Sequence, residues 1–396
     1  MGFTSKIKKI IKEVGFFIIE RMPLLYKQGS AIDKARIRKI LVVEGGGIGD
    51  LLMLFPAIET ISSNFPEASI TFLVSSSSKE VLKLLPCTVN ICGMIDYDIH
   101  GRHKSFIRKL LLINSIRQQK FDLIYAPARG EGIREVSLMV YLMSAPNRIG
   151  FKKGNIGLWN THKIEFVDHL PILEQNINLL QESGLVVGEK KVSIHFQESN
   201  LCFARELMTS CALPIFSIHT SASWKAMYKC WPLNNYIELI RELVDLYKGS
   251  VILVGSKDEA GMGEDIMSKI GKKRLINTIG RTTIPEMAAV ISRSSLFIGN
   301  DSGPLHIACA LKVPSVALFG PTSHEQLLTS VASCSVLRRD LGCSPCYLHQ
   351  HNFVPSCLSR DRSVECMQIP VSVVLSAIQA RIAQGEPNLY VQDRCG

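Results

Sequence analysis

Residues 37–75 run in the order apolar strand, glycine-rich turn, helix, strand, and few folds accept that order. The run at 37–43 is apolar and flanked by basic residues, and it leads into Glu44-Gly45-Gly46-Gly47-Ile48-Gly49-Asp50. Leu51, Leu52, Leu54, Phe55, Ile58 and Ile61 then recur at helical spacing, and 68–74 reads as a second strand. This is the opening unit of a parallel α/β sheet. Further strands are expected at 89–92, 123–126 and 148–151, with helices over 106–118 and 135–143 between them. A second start follows: a strand over 215–219 ends in Thr220-Ser221-Ala222-Ser223. Then come a helix over 233–247, a strand over 250–254 running into Gly255-Ser256-Lys257-Asp258-Glu259, and a strand over 296–299 leading to Asn300-Asp301-Ser302-Gly303-Pro304. A helix over 305–310, a strand over 315–319 and a closing helix over 371–382 complete the series. The chain therefore divides into a basic segment (1–36), a first doubly wound domain (37–190), a linker region (191–212), a second doubly wound domain (213–370) and a helix with tail (371–396). In such sheets ligands sit at the carboxyl ends of the strands, and all four polar turns fall there.

The length of 396 residues suits two domains, and 46% apolar content lets each bury a core. Lys and Arg number 45 against 35 Asp and Glu, a net of +10 that favours a polyanionic partner. Much of the excess lies near the start, where Lys6, Lys8, Lys9, Lys12, Arg21 and Lys27 flank a helical stripe of Ile7, Ile10, Ile11, Val14, Phe17 and Ile18. The apolar run 14–19 is too short to span a bilayer. A helix resting on anionic lipid and a helix docked on the protein's own core fit the pattern equally. Without an export signal the expected compartment is the cytoplasm, with reduced thiols.

The turn Gly45–Asp50 lacks the glycine spacing of a dinucleotide site and the Walker lysine. Asp50 has two readings: a helix N-cap, or a base for an attacking hydroxyl. Gly47 and Gly49 offer backbone N–H groups to the acceptor side. In the second domain, Ser302, Gly303 and Leu305 present amides at a helix start, where Pro304 costs no hydrogen bond. They suit a diphosphate. Asp301 would repel phosphate directly, so it organises the turn or binds a sugar hydroxyl. His306 is a ligand contact or a packing histidine. Thr220, Ser221 and Glu259 stand at strand-end turns on the donor side. Lys229, beside Trp231-Pro232, is either a charge for a nucleotide leaving group or a surface lysine. Arg102, with His100, His103, Lys104 and Arg108, forms a receiver for an anionic acceptor or a solvated basic loop.

Gly-Ile-Gly-Asp-Leu-Leu with Pro56-Ala57-Ile58, Phe121-Asp122-Leu123-Ile124 with Arg148-Ile149-Gly150-Phe151, and the stretch from His169 to Leu185 resemble the first domain of family 9 glycosyltransferases, the heptosyltransferases. Lys229-x-Trp231-Pro232, Gly299 to His306 and Phe319-Gly320-Pro321-Thr322 resemble that family's donor-side motifs. The resemblance covers about 37–382. It implies a GT-B fold, two Rossmann-like domains facing a central cleft, and an inverting, metal-independent transfer without cofactor. The sugar would be a heptose from ADP-heptose, and the acceptor a lipopolysaccharide core or related anionic glycolipid at the inner face of the inner membrane. On the same resemblance the base falls on Asp50, the diphosphate-facing lysine on Lys229, and the phosphate turn on Asp301-Ser302-Gly303.

Cys343-x-x-Cys346, Cys357 and Cys366 admit a zinc reading, but free thiols in a loop are the expected state and no metal site is assigned. The rival functions are a transferase using another nucleotide sugar and a non-catalytic saccharide- or nucleotide-binding protein on the same scaffold. A nicotinamide enzyme lacks its glycine pattern and downstream ribose acid. Nucleic acid is not an expected partner, because basic and aromatic residues do not interleave on one face.

Overall fold

The computed structural model describes residues 29–98, 101–222, 224–271, 274–328, 333–347, 357 and 364–384. The basic segment read as a surface helix falls almost wholly outside these residues. Two parallel sheets organise the rest. The first is built from β1 (Lys39–Glu44), β2 (Ser69–Val74), β3 (Ile91–Asp96), β4 (Leu123–Tyr125) and β5 (Asn147–Ile149), in the order β3-β2-β1-β4-β5. The second comprises β6 (Ile215–His219), β7 (Ser250–Leu253), β8 (Leu275–Asn277), β9 (Leu296–Asn300), β10 (Ser315–Leu318) and β11 (Cys334–Leu337), in the order β11-β10-β9-β6-β7-β8. Every strand pairing is parallel, so helices must cross between strands and cover both faces. That cover explains why Ile40–Glu44 and Ile215–His219 are buried at every position rather than at alternate ones.

In the first half the helices are α1 (Ile48–Leu52), α2 (Phe55–Asn64), α3 (Phe106–Gln118), α4 (Gly132–Met143) and α5 (Ile172–Glu182). α6 (Glu198–Met208) follows, then α7 (Leu233–Tyr247), α8 (Ala260–Ile270), α9 (Ile284–Ser292), α10 (Gly303–Ala310) and the short α11 (His324–Leu327) in the second half. α12 (Val371–Gln384) packs back against α7 and β10. The stretch 191–212, expected as a linker, carries helix α6, whose buried Ala204 and Met208 dock it onto α9. Its amphipathic pattern is short and begins at Gln197 without a side-chain cap, so little in the sequence announces it.

The order of each sheet fixes where a ligand can sit. The chain builds outward from β1 to β3, then returns to place β4 on β1's other side; it builds outward from β6 to β8, then places β9 beside β6. Loops leaving β1 and β4 diverge, as do those leaving β6 and β9, and a crevice opens at each such switch point.

Candidate functional site

At the first switch point β1 delivers Glu44 and the glycine turn. The register pairs Val42 with Tyr125, so Glu44 stands level with the turn after β4 that carries Arg129. Asp50 is not the helix N-cap. Gly47 holds that position, and Asp50, in the first turn of α1, reaches back so that the Gly47 N–H donates to its Oδ2 at 2.7 Å. Its Oδ1 receives Arg129 Nη2 at 2.7 Å. The same guanidinium lies 3.5 Å from Glu44 Oε2, and Glu44 Oε1 accepts the Gly46 N–H at 2.8 Å. Arg129 thus clamps two carboxylates, one buried and one facing the crevice.

Those surroundings push the two acids apart. Burial raises Glu44, with the Asp50 charge adding and Arg129 opposing, up to about 7. Burial also acts on Asp50, but Arg129 and the Gly47 amide outweigh it and hold this carboxyl below its usual range. Asp50 is therefore a carboxylate at neutral pH. Each of its oxygens has a second lone pair for a further donor.

At the second switch point the register sets His219 against Gly299, which brings the turns after β6 and β9 together. Asp301, between β9 and the Ser302 N-cap of α10, is only 3% exposed at its side chain. Its Oδ2 accepts from Lys229 Nζ at 2.7 Å and from Thr322 Oγ1 at 2.8 Å, while His306 Nε2 stands 3.4 Å from Oδ1. Burial opposes the charge, yet Lys229 and His306 hold the Asp301 carboxyl far below the usual range. Burial likewise works against the Lys229 ammonium, and Asp301 more than offsets it. Lys229 is accordingly no surface lysine. It lies within 5.8 Å of the Tyr347 ring centre and faces Asp301. The Asp301 carboxylate is taken up by Lys229, Thr322 and His306.

The remaining donor-side residues form a second relay. His219 Nδ1 lies 2.9 Å from Ser302 Oγ, and its Nε2 lies 3.3 Å from Glu259 Oε2. The Glu259 carboxylate also accepts the Ser256 N–H at 2.7 Å; burial raises it, and the His219 and Ser256 bonds win and lower it. Thr220 and Ser221 are buried, the first with its hydroxyl 3.3 Å from Met262 Sδ, the second donating to the Ala222 carbonyl at 3.1 Å. Both hydroxyls are turned into the protein.

The two switch points meet. A Cβ on Gly49 would strike the His306 imidazole, and a Cβ on Gly303 would lie 2.7 Å from Ile48 Cβ. Gly303 is needed for the packing of α10 on α1, a different constraint from clearance for a phosphate. His306 is buried between the halves, with Nδ1 lacking a hydrogen-bond partner among the described residues. Its charge, when present, would act on Asp50 as well as Asp301.

Arg102 stands apart from this cluster. It is exposed, its N–H donates to Asp98 Oδ2 at 3.2 Å, and with Arg108 it lines a shallow cavity of about 520 Å³. His103 is buried, its Nδ1 accepting the Asp98 N–H at 3.1 Å; His100 lies outside the described residues. Tyr97 lies between this loop and the glycine turn: its Cδ1 would be 3.4 Å from a Cβ on Gly45, and its ring centre is 5.9 Å from that of His103. Cys343, Cys346, Cys357 and Cys366 lie near enough to act on one another: burial first, then neighbouring thiols, pushes Cys346 and Cys366 up, the latter to about 11. Among the described residues no three His, Cys, Asp or Glu side chains are placed to hold a metal ion.

Sequence reasoning missed Arg129, Glu44 and His219. Each occupies or follows the carboxyl end of a strand at a switch point, and that position was the available signal.

Comparison with known proteins identifies the family and the fold. The family profile described as glycosyltransferase family 9 (heptosyltransferase) matches residues 110–355, more than half of the chain. Lipopolysaccharide heptosyltransferase 3 of Escherichia coli K12 is 26% identical over 285 residues, which is 70% of this chain and 80% of that protein. The structure of E. coli ADP-heptose lipopolysaccharide heptosyltransferase II superposes with a TM-score of 0.64 at 21% identity, covering 87% of this chain and 99% of that one. A family 9 glycosyl transferase from Veillonella parvula gives a TM-score of 0.70 at 20% identity, covering 90% of this chain and all of that one.

Proposed function

Because the chain belongs to glycosyltransferase family 9 and has its GT-B fold, we propose that it moves heptose from ADP-heptose onto a lipopolysaccharide-core or related glycan acceptor, with inversion at the sugar. One observation carries the catalytic part of this reading. Asp50 is an ionised carboxylate, a third exposed, at the switch point of one sheet, beside the helix start that closes the switch point of the other. A base of that kind, reaching into a crevice between two ligand sites, is what hydroxyl transfer needs.

The chemistry follows from the groups present. An acceptor hydroxyl from the first half attacks the anomeric carbon, and its proton passes to an Asp50 oxygen. The bond from that carbon to the diphosphate breaks, and the leaving group keeps the electron pair. Asp50 is a weak base, but the hydroxyl proton becomes strongly acidic as the new C–O bond forms, so a late transfer suits a carboxylate held low. Charge growing on the diphosphate is met by the first-turn amides of α10, which have no acceptor inside their own helix, and by the Lys229 ammonium shared with Asp301. Glu259, at the carboxyl end of the second sheet, takes a hydroxyl of the donor on the lone pairs that Ser256 and His219 leave over. The acceptor's place is the inner face of the inner membrane, met from the cytoplasm.

The test begins with thermal shift of the intact protein against a panel of nucleotide sugars, in which ADP-heptose should give the largest rise. Asp50→Asn keeps the shape of the turn and removes the proton acceptor. Turnover should fall about a hundredfold or more while donor affinity changes little. Near-normal turnover would return Asp50 to a structural cap, and donor binding without transfer to any core acceptor would make the protein a binding module.

A further inference from the structure

Among the described residues, helix α3 (Phe106–Gln118) is apolar on two sides and packed on only one. Leu112, Ile113 and Ile116 turn toward the first sheet and join the cluster built on Leu41, Ile124 and Val140. The other side carries Phe106, Ile107, Leu110 and Leu111 with relative exposures of 74%, 67%, 41% and 64%. Four large apolar side chains on two successive turns are an exposed patch, unlike a lone surface leucine. Positions 106 and 110, and 107 and 111, stand one turn apart, so the four share a face.

The charge carried by this segment of the chain is of one sign. Between Asp98 and Asp122 the chain carries Arg102, Lys104, Arg108, Lys109, Arg117 and Lys120 and no acidic residue. Arg102 and Arg108 line the 520 Å³ cavity at the head of the helix together with Leu111 and Leu112. That sign decides between occupants. A second copy meeting this face about a two-fold axis would set cations against cations. The chain's own segment 1–28 is also cationic, so it brings the same repulsion. An anionic surface with an apolar interior satisfies both features at once.

We propose that the exposed face of α3 rests in an anionic lipid bilayer, with Phe106, Ile107, Leu110 and Leu111 among the acyl chains and lipid phosphates at Arg102 and Arg108. The position fits the site. α3 follows the carboxyl end of β3, on the edge of the sheet that holds the Asp50 turn, and Tyr97 joins the two. A lipid-borne acceptor would thus meet the protein on the acceptor side of the cleft. In that respect the proposal rests on the glycolipid reading above, but lipid contact is measured without donor or acceptor, so each can fail alone.

The experiment is cosedimentation of the full chain with vesicles of phosphatidylcholine alone or mixed with phosphatidylglycerol. Each Lys or Arg near an anionic surface contributes on the order of fivefold in partitioning, so binding should require the anionic lipid and weaken with salt. The variant Phe106→Ser/Ile107→Ser/Leu111→Ser should melt like the parent, because these side chains are exposed, and bind about tenfold or more weakly. Its transfer to a water-soluble acceptor should match the parent's. In Phe106→Trp, tryptophan emission should move to the blue when anionic vesicles are added. Failure of the parent to bind overturns the proposal. So does parent-like binding by the triple variant, whether or not removal of residues 1–28 then abolishes it. A parent that self-associates through this face, with the triple variant monomeric and vesicle binding equal, overturns it as well.

Discussion

The two switch points place an aspartate near the start of a helix, yet they use it in opposite ways. In the first, the carboxylate belongs to the helix itself, a third of it is exposed, and one arginine divides its attention between Asp50 and Glu44. In the second, the carboxylate precedes the helix, is sealed from solvent, and is surrounded by Lys229, His306 and Thr322. A shared topology therefore does not assign a shared role. The open and under-committed acid is suited to accept a proton, and the enclosed one holds a lysine and a turn in place.

That contrast breaks most visibly at Lys229. Lys229→Ala leaves the Asp301 charge buried with its cation gone, a loss of about 3–5 kcal/mol in denaturant unfolding, and nucleoside-diphosphate binding by calorimetry should weaken with it. Replacing both partners, Lys229→Met with Asp301→Asn, should recover much of the stability and none of the binding. Equal stability of the single and double variants would mean that the enclosure of Asp301 is not what the pair provides.

Arg129 tests the open site. In Arg129→Gln only the Gly47 amide and His306 remain to offset the burial of Asp50, so its carboxyl rises, and the acid limb of the kcat–pH profile should move up by about one to three pH units. Arg129→Lys should bring it back toward the parent. A limb that stays put in Arg129→Gln would detach Asp50 from that ionisation.

The smallest effect belongs to Glu44. Its folded form keeps a proton up to about 7, which an unfolded chain releases near 4.5. The folded state therefore binds more protons across that window, and stability falls as pH rises through it, by at most about 1.4 kcal/mol per pH unit. Asp50 and Asp301 act with the other sign, losing their contribution only as pH drops through their lowered values. Glu44→Gln should flatten the decline between pH 5 and 7 in denaturant unfolding. An unchanged slope would place the titrating group elsewhere.

Much of the fold could be read from the chain because parallel strands are buried on both faces and end in polar turns. Helices over 106–118 and 233–247 have the bounds that periodicity alone assigns them. The edge strands β8 and β11 did not register, since each buries only its first residue and neither carries the continuous apolar run of the inner strands. Within the site, strand-end position pointed to Asp50, Asp301 and His306, but not to their partners. Arg129 follows Asp50 by 79 positions and Lys229 precedes Asp301 by 72, so both pairings exist only once the sheets are assembled. Gly303 shows the same limit from the other direction. Its missing side chain makes room for Ile48, from the other half, a contact that the turn's own residues do not announce.

The contact between Gly49 and His306, and that between Gly303 and Ile48, also say how the cleft can breathe. Arg129 closes its ion pairs inside the first half, and Lys229 closes its own inside the second. What joins α1 to α10 at these positions is steric fit between bare backbone and a neighbouring side chain. A rotation that parted the halves there would expose Gly49 and Gly303 to water without stranding either aspartate from its cation. Parting at this point is therefore resisted by van der Waals contact, which salt does not screen, while each aspartate keeps the cation of its own half.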